Sequence, residues 1–198
     1  MRLIKVEKHS KEELFEKLRK VSLMKNPEHL IYQDCTISLV KLHTDFLAPP
    51  QAYVLGQEVQ KIRELRWALQ EHGVDLFELE GYVTIWREDA DSEPIDVMPA
   101  IIEESFEANG SIQPLICDGM HRMFVARLEG ITPQVAYIRG VSLPYYAYPW
   151  PGGWSEVILR EDLPYGFIKK WHRIADYKKL YRNFNSAFQN VGGPRGRF

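Results

Sequence analysis

"LICDGMHRMFVARLEG", residues 115–130, changes character at its middle. Apolar residues run into Asp118-Gly119, His121 and Arg122 follow, and the remainder keeps helical spacing. The pattern predicts a strand ending at the acid, a turn at the glycine, and a helix over 120–128 stopped by Gly130. A helix that begins directly after a glycine presents unpaired backbone N–H groups and the positive end of its dipole. Such an end attracts anions, phosphate above all. Gly119 lets a ligand approach the backbone without a Cβ in the way. Arg122 offers a fork matched to phosphate oxygens, and His121 can donate a hydrogen bond or titrate near neutrality. Asp118 can cap the helix or hold a magnesium ion. The same string also serves a purely structural end, with Asp118 capping and Arg122 pairing with a surface acid.

Outward from this seam, strands and helices interleave. Towards the N-terminus, "IQPLICD" and "IDVMPAIIEE" read as strands joined by an "ANGS" turn, and "GYVTIWRE" (81–88) alternates as a half-buried strand. "DADSEP" between the last two reads as an exposed loop. "GQEVQKIRELRWALQEHG" is the clearest helix, with Val59, Ile62, Leu65 and Leu69 in one stripe and Gly73 as its stop. "CTISLVKLHTDFL" reads as a strand leading to a turn at Pro49-Pro50. In "HSKEELFEKLRK", Ser10 and Glu13 have the spacing of a capping box. Beyond the motif, "TPQVAYIRG" is a closing strand. The interleaving implies an α+β or α/β-like mixed sheet with helices.

The chain has 198 residues, of which 45% are hydrophobic and 26% charged, with a formal net charge of −2. Overall charge therefore selects no partner class. Two cysteines, Cys35 and Cys117, and histidines without ligand spacing give no structural zinc site. With no apolar run near the ~20 residues of a membrane span, a cytoplasmic protein with reduced thiols and no membrane partner is expected. From residue 141 the composition shifts to proline, glycine and aromatics. Residues 145–198 hold 13 of the 24 aromatics, and residues 169–198 carry a net +7. These rings either pack the extension on the core or, for Tyr148, Trp150 or Trp154, wall a ligand pocket. "ADYKKLYRNFNSAF" reads as a last amphipathic helix, and "VGGPRGRF" as a loose end. A basic, aromatic tail is also suited to single-stranded nucleic acid.

The D-G-x-H-R string resembles the phosphate-binding motif of the ParB/sulfiredoxin superfamily, in which a strand leads into G-x-H-R or G-E-R-R at a helix start. "EPIDVMPAI", "EVQKIRELRWAL" and "GITPQVAYIRG" resemble other elements of that fold. The resemblance covers roughly residues 36–140, with 74–92 as an insertion, 1–35 as an N-terminal helical segment and 141–198 as an extension packed on the core. Sulfiredoxins carry a reactive cysteine where this chain has Met120, so sulfinic-acid repair does not follow. The motif form looks most like the free-serine kinases of the superfamily. That implies phosphoryl transfer from ATP, or from ADP or CTP, with Mg2+, to a small hydroxyl compound. Gly119, Met120, His121 and Arg122 would surround the phosphates and Asp118 the metal. Lys61 falls where sulfiredoxins place a lysine near the nucleotide.

Phosphoryl transfer also calls for a base near the acceptor hydroxyl. Glu103 and Glu104 end a strand expected beside the motif strand, and alternation sends one of them to the core face. Asp45 and Glu58 are rivals. Arg63 and Arg66 can reach phosphate or pair with neighbouring acids. A nucleotide-binding or hydrolysing switch and a nucleic-acid-processing ParB-like protein remain the alternative readings.

Overall fold

In the computed structural model, described over residues 1–88, 93–163 and 165–191, the elements in chain order begin with β1 (Leu3–His9), α1 (Lys11–Arg19), β2 (Ser22–Leu23), β3 (Asn26–Leu30) and β4 (Thr36–Lys41). Then come β5 (Tyr53–Leu55), α2 (Gly56–Gln70), β6 (Tyr82–Arg87), β7 (Ile95–Val97), β8 (Ala100–Phe106) and β9 (Ile112–Asp118). The chain continues through α3 (Met120–Leu128), β10 (Gln134–Arg139), β11 (Ile158–Arg160) and β12 (Arg182–Asn183). The fold is α+β, as the interleaved pattern implies.

The motif strand is the edge of a four-stranded sheet ordered β4-β10-β8-β9. Its central pair, β8 and β10, is parallel, and the outer pairs are antiparallel. Both faces of the central pair are covered, so Ile101, Ile102, Val135, Ala136 and Ile138 are fully buried. One face packs on α1 and the turns after it, the other on α2 and α3. The register of β8 against β9 slips between Ile101, opposite Asp118, and Ile102, opposite Ile116. Cys117 is the extra residue of this bulge, which re-aims the strand end just before the motif.

α1 starts as the sequence indicates: Ser10 Oγ accepts from the Glu13 amide at 3.1 Å, and Glu13 accepts from the Ser10 amide at 2.8 Å. α2 lies against α3, and Gly73 and Gly130 after their ends have positive φ angles of 67° and 65°. The span "IDVMPAIIEE" is two strands rather than one, broken at Met98-Pro99, because proline brings no amide to a ladder.

Residues 1–35 are not a helical segment: beside α1 they hold β1, β2 and β3. β1 pairs antiparallel with β6 and β6 with β7, so the stretch expected as an insertion is part of a sheet built with the N-terminus. The last amphipathic helix does not form either. Residues 177–186 run as two short 3-10 turns flanking β12, which pairs with β2. Side chains here compete for the backbone: Ser186 Oγ donates to the Asn183 carbonyl at 2.7 Å and accepts from the Ser22 amide at 3.0 Å. Most of the "DADSEP" loop and the "VGGPRGRF" end lie outside the described residues.

Candidate functional site

Gly119 stands at the head of α3 with φ +86°, a conformation that L side chains resist. A Cβ there would lie 2.8 Å from Ala100 Cβ and 3.0 Å from the Arg122 guanidinium. No side chain caps the helix, and its first residues line a cavity of about 760 Å³. That volume falls within the roughly 300–1,000 Å³ of small-molecule sites.

The other motif residues form the wall of this cavity. Arg122 donates to Asp118 at 2.7 Å and to the Met98 carbonyl, which fixes the guanidinium beside Gly119. The second oxygen of Asp118 takes no hydrogen bond among the described residues. His121 Nε2 accepts the Leu55 amide at 3.3 Å, leaving the proton on Nδ1. Burial, with the charge of Lys169 adding, pushes the His121 pKa down to about 4. The imidazole is therefore neutral at physiological pH. From α2 come Glu58 and Lys61, paired at 2.7 Å.

The structure does not bring the remaining carboxylates here. Glu103 is the core-facing member of its pair and is 2% exposed. It is bound by Arg182 at 2.9 and 2.8 Å and by the Tyr32 hydroxyl at 2.5 Å. Glu104 accepts from Tyr137 at 3.2 Å, further along β8 from the motif. Asp45 pairs with Arg127, at the far end of α3 from Gly119. None of the three lines the cavity. Glu58 alone of the proposed bases does line it. Arg63 and Arg66 turn to Glu129, at 3.2 and 2.5 Å.

Sequence reasoning missed one wall. Tyr145, Tyr146, Lys169, Lys170 and Tyr181 of the C-terminal extension all line the cavity. Tyr148, Trp150 and Trp154 do not: Trp154 donates to the Thr44 carbonyl at 2.7 Å and Trp150 to Glu156 at 2.6 Å. The two consecutive lysines were the available signal, but they stand about fifty residues from the motif in a segment without periodicity. Burial raises the Cys117 thiol pKa well above the ordinary value, which favours the protonated thiol over the nucleophilic thiolate.

Among the described residues no group of three His, Cys, Asp or Glu side chains is placed to hold a metal. A dedicated protein cage for magnesium does not fit. The free oxygen of Asp118 does fit the single carboxylate contact made by a magnesium ion carried on a nucleotide's phosphates.

The glycine-headed helix of this α+β domain thus stands at a cavity lined by arginine, lysines and a neutral histidine. The ParB CE domain family matches residues 13–158, and the chain belongs to that family. The match extends well beyond 36–140 on both sides and stops before Lys169. Comparison with curated proteins and with solved structures finds no match. No helix among the described residues is long and apolar enough to cross a membrane.

Proposed function

We propose that the protein binds a nucleotide by its phosphates at the head of α3 and transfers a phosphoryl group to the hydroxyl of a small molecule, such as an amino acid or a nucleoside-type alcohol. The observation that carries the reading is the head of α3, which has no side-chain cap and where the left-handed Gly119 packs on Ala100 and brings a guanidinium held by Asp118 to the cavity wall. The amides and Arg122 neutralise charge on the transferred group, and His121 Nδ1 is a neutral donor towards it. Magnesium, touching Asp118, would supply further neutralisation. Glu58 is the carboxylate placed to accept the acceptor hydroxyl's proton as oxygen attacks phosphorus, once substrate draws Lys61 away. This is the kinase reading that the D-G-x-H-R form suggests through its resemblance to free-serine kinases.

One observation favours a nucleotide-binding or hydrolysing switch: Glu58 and Asp118 are each already ion-paired. Nucleic-acid processing has less support, because Tyr177 stacks on His172 with ring centres 3.4 Å apart and Phe188 is buried, leaving these rings unavailable to bases.

Incubation with ATP, ADP or CTP, Mg2+ and a panel of hydroxyl compounds, followed by phosphorus NMR, separates the readings. Transfer produces a phosphomonoester signal matched by loss of the terminal phosphate. Inorganic phosphate alone replaces the kinase with the switch, and the absence of both turnover and nucleotide binding overturns both.

A further inference from the structure

Two of the cations that line the cavity stand outside the ion pairs of its wall. Lys61 is matched by Glu58, Arg122 by Asp118, and Arg182 by Glu103. Among the described residues, Lys169 and Lys170 have no carboxylate within 4.0 Å. Lys170 Nζ instead donates to two neutral phenols, Tyr145 at 3.2 Å and Tyr146, and lies over both rings. Burial, with the neighbouring charge of Lys169, pushes its amino group down to about 8. A cation held among phenols without a counter-charge is costly to keep, and an anion entering the cavity would relieve that cost.

The position of Lys170 is fixed from several sides. Tyr145 donates to the Cys117 carbonyl at 3.1 Å, which ties the phenol platform to the strand that delivers the motif. The backbone of 146–148 pairs with that of 171–173 through Tyr148 N to Trp171 O at 2.9 Å and Arg173 N to Tyr146 O at 3.0 Å. Arg173 then grips Glu107 and Ser105 at the end of β8 at 2.7 and 2.9 Å. A lysine segment anchored this way is preorganised, so little freedom is lost when it meets a ligand.

We propose that Lys169 and Lys170 form a second anion seat, on the wall that the C-terminal extension gives the cavity, that takes the terminal phosphate of a nucleoside triphosphate. Both lysines lie in the extension, beyond the residues 13–158 that match the family's domain. The inference rests on the nucleotide reading above and specifies it: α3 and Arg122 hold one phosphate, the lysines hold the last, and mono- and diphosphates bind more weakly.

Calorimetric titration of the full chain with ATP, ADP and AMP tests it. The unmodified protein should prefer ATP to AMP by roughly 10-fold or more. Lys170→Met should weaken ATP by roughly 10- to 100-fold, the scale of one charge-assisted hydrogen bond, and leave AMP within about threefold. Lys170→Arg should keep most of the ATP affinity. Lys169→Met, at an exposed position that the fold tolerates, should lose ATP affinity selectively even if Lys170→Met does not fold. Equal losses for ATP and AMP, an arginine variant as weak as the methionine one, or no dependence on phosphate number would each overturn the seat and leave the α3 site standing. If the unmodified protein binds none of the three nucleotides, the nucleotide reading itself falls.

Discussion

Two neighbouring residues carry most of the site's physics. Gly119 combines a left-handed backbone with a 2.8 Å approach that no Cβ could make to Ala100. Gly119→Ala should lower stability by roughly 1–3 kcal/mol in urea denaturation and weaken nucleotide binding at the same time. His121 gives a pH signature. Its pKa of about 4 lies below the ordinary 6.5, so the unfolded chain takes up the proton first. The deficit is absent above that ordinary value and grows as pH falls through the window towards the folded pKa, reaching on the order of 3 kcal/mol. Stability measured from pH 7 to pH 4 should fall less steeply in His121→Asn. An unchanged slope would mean that the imidazole is not held neutral. At this scale the sequence was informative, because a glycine, a histidine and an arginine at a strand-to-helix seam each have a narrow range of uses.

At the scale of elements, the buried Arg182–Glu103 pair ties the extension to the central strand β8. The Arg182 guanidinium makes five hydrogen bonds, two to Glu103 and three to the carbonyls of Leu143, Pro144 and Leu180. Removing one partner strands a buried charge, so Arg182→Ala should cost about 3–5 kcal/mol by urea denaturation. Replacing both partners with leucine should recover much of the loss. A negligible effect of the single substitution would show that the extension is not held through this contact. Periodic elements were legible: α1 through its capping box, α2 through its stripe, α3 through its glycines. β1 was not, because "LIKVEKH" leaves only Leu3 fully buried and gives a weak alternation. The final turns were misread because Tyr177, Tyr181, Phe184 and Phe188 keep helical spacing while packing on different partners. Tyr177 stacks on His172, and Phe188 meets Tyr82 edge-on. Spacing records which residues are apolar and carries no information on what they cover.

For the whole molecule, the cavity is a joint product of the family's domain and the segment after it. The motif residues stand together in sequence, and Lys61 and Glu58 came into question only through the resemblance to the superfamily. The lysine wall depends on a long-range fold-back held by Arg182 and Arg173, which no local pattern reveals. Glu103 shows the same limit from the other side: a carboxylate beside the motif in the sheet was a natural choice for a base, and its partner seventy-nine positions later takes it into the core. A ligand bridging both walls should stabilise the chain as a unit. At a nucleotide concentration 100 times its Kd, linkage predicts about 2.7 kcal/mol of added stability, read as a rise in Tm. Arg122→Ala should abolish most of that rise.

The most direct measurement is a crystal structure of the full chain with a non-hydrolysable ATP analogue and Mg2+. The account predicts phosphate oxygens within hydrogen-bond distance of the α3 amides after Gly119 and of the Arg122 guanidinium, with the terminal phosphate turned towards Lys170. An analogue bound elsewhere, with the head of α3 covered by the protein or left open to solvent, would contradict it.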